Sequence, residues 1–190
     1  VALGVLLLAV TLGACTACTA GGADEVSTHP IATETEQVTA ADAAWIAGMA
    51  EHHDQAVALA RLAEGRTADP EVLASAERIA AGQAAEATAL RDWLDRRGLD
   101  DTAHHGDGDM PGEISASIFA RAEAATGDAF DALFLDAMVR HHEGAVQMSE
   151  ERLAAAGDPA VSRWARTVAT GQTVELDRLR ALIGRTPPAG

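Results

Sequence analysis

The chain contains one segment twice. A shift of 89 positions lays His52-His53 on His141-His142 and, in one unbroken register, Asp42 on Asp131, Met49 on Met138 and Ala56-Val57 on Ala145-Val146. The same register carries Asp69-Pro70 onto Asp158-Pro159, Gly82-Gln83 onto Gly171-Gln172, Glu86 onto Glu175 and Leu90-Arg91 onto Leu179-Arg180. Chance does not hold a register that long. Two copies of one supersecondary unit imply that each buries its apolar face against the other in an approximately two-fold arrangement.

Each copy reads as helix, tight turn, helix. Thr39-Ala-Ala-Asp42 has the form of a capping box, so the first helix starts near Asp42 and ends near Gly65. Asp69-Pro70-Glu71 then restarts the chain, with Asp as N-cap, Pro at the first helical position and an acid in the first turn, and this helix runs to about Gly98. The second copy predicts helices from about Asp128 to Ala156 and from Asp158-Pro159 to about Gly184, where Pro187 and Pro188 prevent continuation. The repeat units therefore span about 42–98 and 128–184, and Ser115 to Ala125 forms a short helix between them. Aromatic residues make up only 3% of the chain, so the core is built from Ala, Leu, Val and Ile, which favours packed helices over sheets. The expected fold is all-α, a left-handed four-helix bundle of two repeated hairpins with one short extra connecting helix.

Polar residues interrupt the apolar seams. Alternating steps of four and three through the first helix read Trp45, Met49, His52, Ala56, Leu59 and Ala63, which turns His52 inward one turn from Met49. In the second helix the same stepping reads Val72, Ala76, Ile79, Gln83, Glu86, Leu90 and Trp93, and the repeat gives Val161, Ala165, Val168, Gln172, Glu175, Leu179 and Leu182. A buried unpaired carboxylate costs several kcal/mol by general estimate, so Glu86 and Glu175 require cations or donors opposite them. The histidines can supply these. Pooled around one axis, His52, His141, Glu86 and Glu175 are the leading candidate metal ligands, joined by Met49, Met138, Gln83 and Gln172. His53 and His142 lie about 100° round the helix and are read as outer groups, ligands of a second ion, or solvent-exposed. Imidazole and carboxylate suit copper, zinc, iron or manganese, and thioether leans the set toward copper. The competing reading is a metal-free structural or protein-interaction module whose His/Glu hydrogen bonds only specify packing.

The segment between the repeats, His104-His105-Gly-Asp-Gly-Asp-Met110, is a weak accessory metal loop, and a solvated acidic loop is the preferred reading of it. The net charge of −15 opposes nucleic acid and anionic lipid headgroups and leaves metal cations as partners. Residues 1–14 read as an export signal, ending in Leu12-Gly13-Ala14-Cys15. That tetrad resembles a bacterial lipobox, which makes Cys15 a lipidation site, the protein a lipoprotein anchored to the outer face of the cell membrane, and 15–38 a flexible tether to a domain at 39–186. Cys15 and Cys18 are the only cysteines, so the domain itself has no disulfide. No nucleophilic triad, phosphate-cradling loop or recognisable acid/base pair is present, so the chain is read as a binder, possible as a homo-oligomer or with a protein partner, and not as an enzyme.

The paired Met-x-x-His-His-x-x-Ala motifs at Met49 and Met138, the Gln-x-x-Glu pairs at Gln83 and Gln172, and Met110-Pro111-Gly112 together resemble the domain of unknown function 305 family over about Thr39 to Gly184. The resemblance implies a ferritin-like helical bundle in a secreted or lipid-anchored bacterial protein, with copper binding in some members. The chain has only four Met, which argues against storing copper in quantity, and it lacks the Glu-x-x-His motif of di-iron ferritin-like enzymes, which leaves a metal-dependent redox enzyme as a minor alternative.

Overall fold

A computed structural model describes residues 38–99 and 110–185. Five helices and no strands occur among them: α1 (Ala40–Arg61), α2 (Pro70–Asp95), α3 (Ala116–Ala124), α4 (Asp128–Ala154) and α5 (Pro159–Ile183). The proposed signal and tether residues through Gln37, with Cys15, and the loop histidines His104 and His105 lie outside the described residues, as do Pro187 and Pro188.

The helix starts follow from local chemistry. Thr39 accepts from the Asp42 N–H at 3.1 Å while its own N–H donates to the Asp42 carboxylate at 2.8 Å, which is the reciprocal box its sequence predicts. Asp69 accepts from the Glu71 N–H at 2.8 Å, Asp158 from the Ala160 N–H at 2.6 Å, and both precede a proline that needs no partner. Ser115 caps α3 through the Ile118 N–H. The helices end a few residues before the predicted limits.

The helix pairs with the most extensive packing are α1 with α2 and α4 with α5, and α1 also lies against α4. By contrast, α2 and α5 meet only over a short stretch. Two apolar clusters result. One gathers Leu59, Ile79, Phe130, Phe134, Met138 and Leu179; the other gathers Trp45, Ile46, Met49, Leu90, Trp93 and Val168. Each histidine doublet sits in its helix between the residues that feed these clusters. Among the described residues no helix is long and apolar enough to cross a membrane.

The segment from Met110 to Ile114 forms a strap over α1 and α4. The Ile114 N–H donates to the Gln55 side chain at 2.9 Å, and the Pro111 carbonyl accepts from His52 at 3.0 Å. Glycine is required twice here. A Cβ on Gly144 would collide with the Pro111 backbone, and Gly112 combines a φ of 72° with close approach to the Arg140 carbonyl.

Candidate metal centre

All four histidines of the two doublets are fully buried. The outer positions His53 and His142 are therefore not solvent-exposed. The reason is that the buried face of each helix is wide: in α1 Ile46, Ala47, Gly48, Met49 and Ala50 are buried in succession, and in α4 only a stripe through Asp136, Arg140 and Glu143 is exposed beside the doublet, so a 100° step within each doublet remains inside.

The pairing within each doublet also differs from the expectation that His52 and His141 would face the glutamates. The rings of His52 and His141 stack on each other, with centroids 3.7 Å apart and planes 28° from parallel. Their Nε2 atoms are engaged by backbone, His52 with the Pro111 carbonyl at 3.0 Å and His141 with the His52 carbonyl at 2.8 Å. It is His53 that meets a carboxylate, its Nε2 lying 2.9 Å from Glu86 Oε2. His142 donates from Nδ1 to the Met138 carbonyl of its own helix at 2.7 Å, and its Nε2 lies 3.4 Å from the Gln83 amide nitrogen.

Gln83, Gln172, Glu86 and Glu175 line a cleft of about 260 Å³ between α2 and α5, with Arg78 and Arg178 among its walls. The Gln83 amide points to Gln172 Oε1 at 3.5 Å, joining the two repeats. The glutamates are not in a dry interior, since their side chains retain 32% and 19% exposure. Glu175 is held by Arg178 and, at 3.5 Å, by Arg78. Met138 and Met49 are buried in separate apolar clusters, and Met110, at the start of the strap, is buried as well. Among the described residues no group of three His, Cys, Asp or Glu is placed to hold one ion.

Burial controls the titration of three rings. It lowers His52 from 6.5 to about 3, reinforced by the charges that His53 and His142 would carry and opposed by the Pro111 hydrogen bond. It lowers His142 to about 4 against the Met138 bond and the nearby Glu175 charge, and it holds His141 well below its ordinary value. These rings are neutral at physiological pH. The doublets fit a metal in one respect: the Nδ1 atoms of His52, His53 and His141 are buried without any hydrogen-bond partner. Neutral imidazole nitrogens with free lone pairs are the ligands transition metals take.

Sequence reasoning missed a second buried polar group. Asp42 makes an ion pair with Arg152 inside the domain and accepts from the Asp158 N–H at 3.2 Å, tying the starts of α1 and α5 to the end of α4. The repeat of Asp42 at Asp131 was the available signal, because a repeated buried acid demands a partner.

The model for DUF305, a domain of unknown function, matches residues 42–183. The chain belongs to the DUF305 family. Its fold is similar to that of a DUF305 fragment from Deinococcus radiodurans, at 27% identity and TM-score 0.73 over 78% of this chain and 98% of that one. It is likewise similar to a protein of Streptomyces coelicolor described as "putative secreted protein DUF305", at 27% identity and TM-score 0.70 over 77% of this chain and 93% of that one. CopM in its Cu(I)-bound form shares the fold at 20% identity and TM-score 0.64, over 75% of this chain and 95% of that one. CopM also has Cu(II)- and Ag-bound forms. No curated protein matches the chain.

Proposed function

We propose that this DUF305 protein binds a transition metal ion, with copper favoured over zinc or iron, at the buried histidines, and serves metal handling or sequestration outside the cytoplasm. The observation that carries this reading is the set of enclosed imidazoles whose unpartnered nitrogens a cation would satisfy. The copper-bound and silver-bound forms of CopM, which shares the fold, support the choice of metal. The reading includes a ferritin-like arrangement of the two hairpins, export, anchoring by a lipid on Cys15, and no catalytic activity. Export is supported by the Streptomyces coelicolor neighbour.

Equilibrium dialysis of purified protein against Cu(I), Cu(II) or Zn(II), followed by elemental analysis, tests it. His52→Gln with His141→Gln should abolish stoichiometric copper, whereas His104→Ala with His105→Ala should not. Unchanged stoichiometry in the first variant, with helicity intact, would contradict the proposal. A second reading, a metal-free packing network, is favoured by the Nε2 contacts that His52, His53 and His141 already make. It requires that the unsubstituted protein emerge from dialysis without metal.

A further inference from the structure

Resting on that metal-binding reading, we propose that the cleft between α2 and α5 is the port by which an ion reaches the buried doublets, held open by Gly82 and Gly171, with Arg78 and Arg178 weakening its pull on cations. All four rings are fully buried, so an ion must pass what covers them. The two coverings differ. On the strap side the backbone of Pro111 and Gly112 lies so close to α4 that neither Gly144 nor Gly112 has room for a methyl group, and the Pro111 carbonyl closes on His52 at 3.0 Å. On the other side α2 and α5 meet only over a short stretch and leave the cleft of about 260 Å³. Two side chains of that cleft reach the rings: Glu86 lies 2.9 Å from His53 Nε2, and Gln83 lies 3.4 Å from His142 Nε2. Glu86 keeps 32% of its side chain exposed while His53 keeps none, so one side chain separates solvent from that ring.

The cleft offers oxygens that nothing in the fold uses. The proton of His142 lies on Nδ1, which donates to the Met138 carbonyl, so its Nε2 is an acceptor and faces the Gln83 amide nitrogen. That nitrogen also points to Gln172 Oε1, which leaves Gln83 Oε1 buried and without a partner on a residue only 4% exposed. Glu175 is similar: Arg78 and Arg178 both take its Oε1, and its Oε2 is buried without a partner. Stranded acceptors are costly, and an ion that sheds water on its way inward needs oxygen atoms to replace that water. These two oxygens supply them. Hard oxygen donors do not retain a soft ion such as Cu(I), so they suit passage and not residence.

The glycines point the same way. Glycine in a helix interior costs about 1 kcal/mol relative to alanine, and α2 and α5 each bear that cost once, at matching positions. A Cβ at Gly82 or Gly171 would meet nothing within 4 Å, so packing requires neither, in contrast to Gly144. What they share is the cleft wall. The formal charges of that wall, Glu86 and Glu175 against Arg78 and Arg178, cancel in a chain whose net charge is −15. An approaching cation therefore meets two guanidiniums, 44% and 51% exposed, that offset the attraction of the less exposed carboxylates.

Rapid-quench uptake of Cu(I) tests the route. The reference protein carries Cys15→Ser, Cys18→Ser, His29→Ala, His104→Ala and His105→Ala, which leaves the doublets as its histidines. At set times an excess of chelator stops uptake, and bound copper is measured by elemental analysis. Gly82→Leu with Gly171→Leu should slow uptake about 10-fold or more at unchanged final stoichiometry, and Arg78→Ala with Arg178→Ala should speed it about 10-fold, with a salt dependence that the reference lacks. The arginine variant alters exposed side chains only and reads the route even where the leucines disturb the helices. Unchanged rates in both variants overturn the port while leaving metal binding intact. So does faster uptake in Gly144→Ala with the cleft variants unaffected, which puts entry under the strap. Loss of final stoichiometry in the glycine variant with helicity intact also overturns it, since the cleft would then belong to the resting site. No copper in the reference protein at any time overturns both the port and the metal-binding reading.

Discussion

The two repeats hold the same polar residues and give them different partners. Asp42 in the first copy is enclosed and paired with Arg152, while its counterpart Asp131 is equally enclosed and has an oxygen without a partner. The difference traces to one position: the register that aligns Asp42 with Asp131 aligns Arg152 with Ala63. The glutamates diverge in the same way. Glu86 takes His53, whereas Glu175 takes Arg178 and Arg78, residues that the register sets against Ala89 and Thr167. The strap completes the asymmetry, because its Pro111 carbonyl occupies His52 while His141 uses the His52 backbone. Duplication repeats side chains, but neighbours outside the repeated set decide which of them are satisfied.

The largest expected effect is on acid stability. Three rings with folded values below 6.5 take up protons more readily when unfolded, so stability is full above about pH 6.5 and falls as pH drops toward 4 and 3, the folded values of His142 and His52. Each contributes a slope of up to about 1.4 kcal/mol per pH unit. Asp131 opposes them, since burial and the neighbouring Asp69 and Asp128 charges raise its pKa despite a Thr67 hydrogen bond, and a raised acid is relatively more stable protonated in the fold. Urea denaturation between pH 8 and 4 should show the fall, and Asp131→Asn should steepen it at the acid end.

Next in size is the contrast between the two aspartates. Asp42→Ala strands Arg152 in the interior and should cost about 3–5 kcal/mol at pH 7.5, as broken buried pairs do. Asp131→Asn has no ion pair to break and should change stability by less than about 1 kcal/mol or increase it, within the usual range for such sites. Equal losses in the two denaturation curves would erase the distinction.

The glycines give the smaller effects. Gly144→Ala forces a methyl group into the Pro111 backbone and should cost about 1–3 kcal/mol, the range for overpacking, with displacement of the strap visible as loss of amide protection at Ile114. Gly82→Ala and Gly171→Ala place a methyl where nothing lies within 4 Å and should stabilise by up to about 1 kcal/mol each.

The features legible in the chain itself are those decided within a few residues. The Thr39/Asp42 box and the Asp69-Pro70 and Asp158-Pro159 starts all depend on side chains next to the backbone they satisfy. The histidine doublets and the Gln and Glu pairs were readable as interruptions of apolar seams. Which imidazole faces which partner was not, because periodicity only separates a buried face from an exposed one, and in α1 and α4 the buried face is wide enough to hold both histidines of a doublet while Asp54, Arg140 and Glu143 beside them stay exposed. The Pro111 carbonyl was beyond reach for another reason: a backbone acceptor leaves no mark in the identity of its residue. Gln55 and Gly144, which align with each other, both serve the strap, one as an acceptor and one by its missing side chain.

Copper K-edge absorption on Cu(I)-loaded protein carrying His29→Ala, His104→Ala and His105→Ala isolates the buried histidines as the imidazole source. Stoichiometric copper with nitrogen neighbours and the multiple-scattering pattern of imidazole, lost when His52 and His141 are also replaced by Gln, is the predicted result. Copper bound without imidazole scattering, or no copper retained, would contradict it.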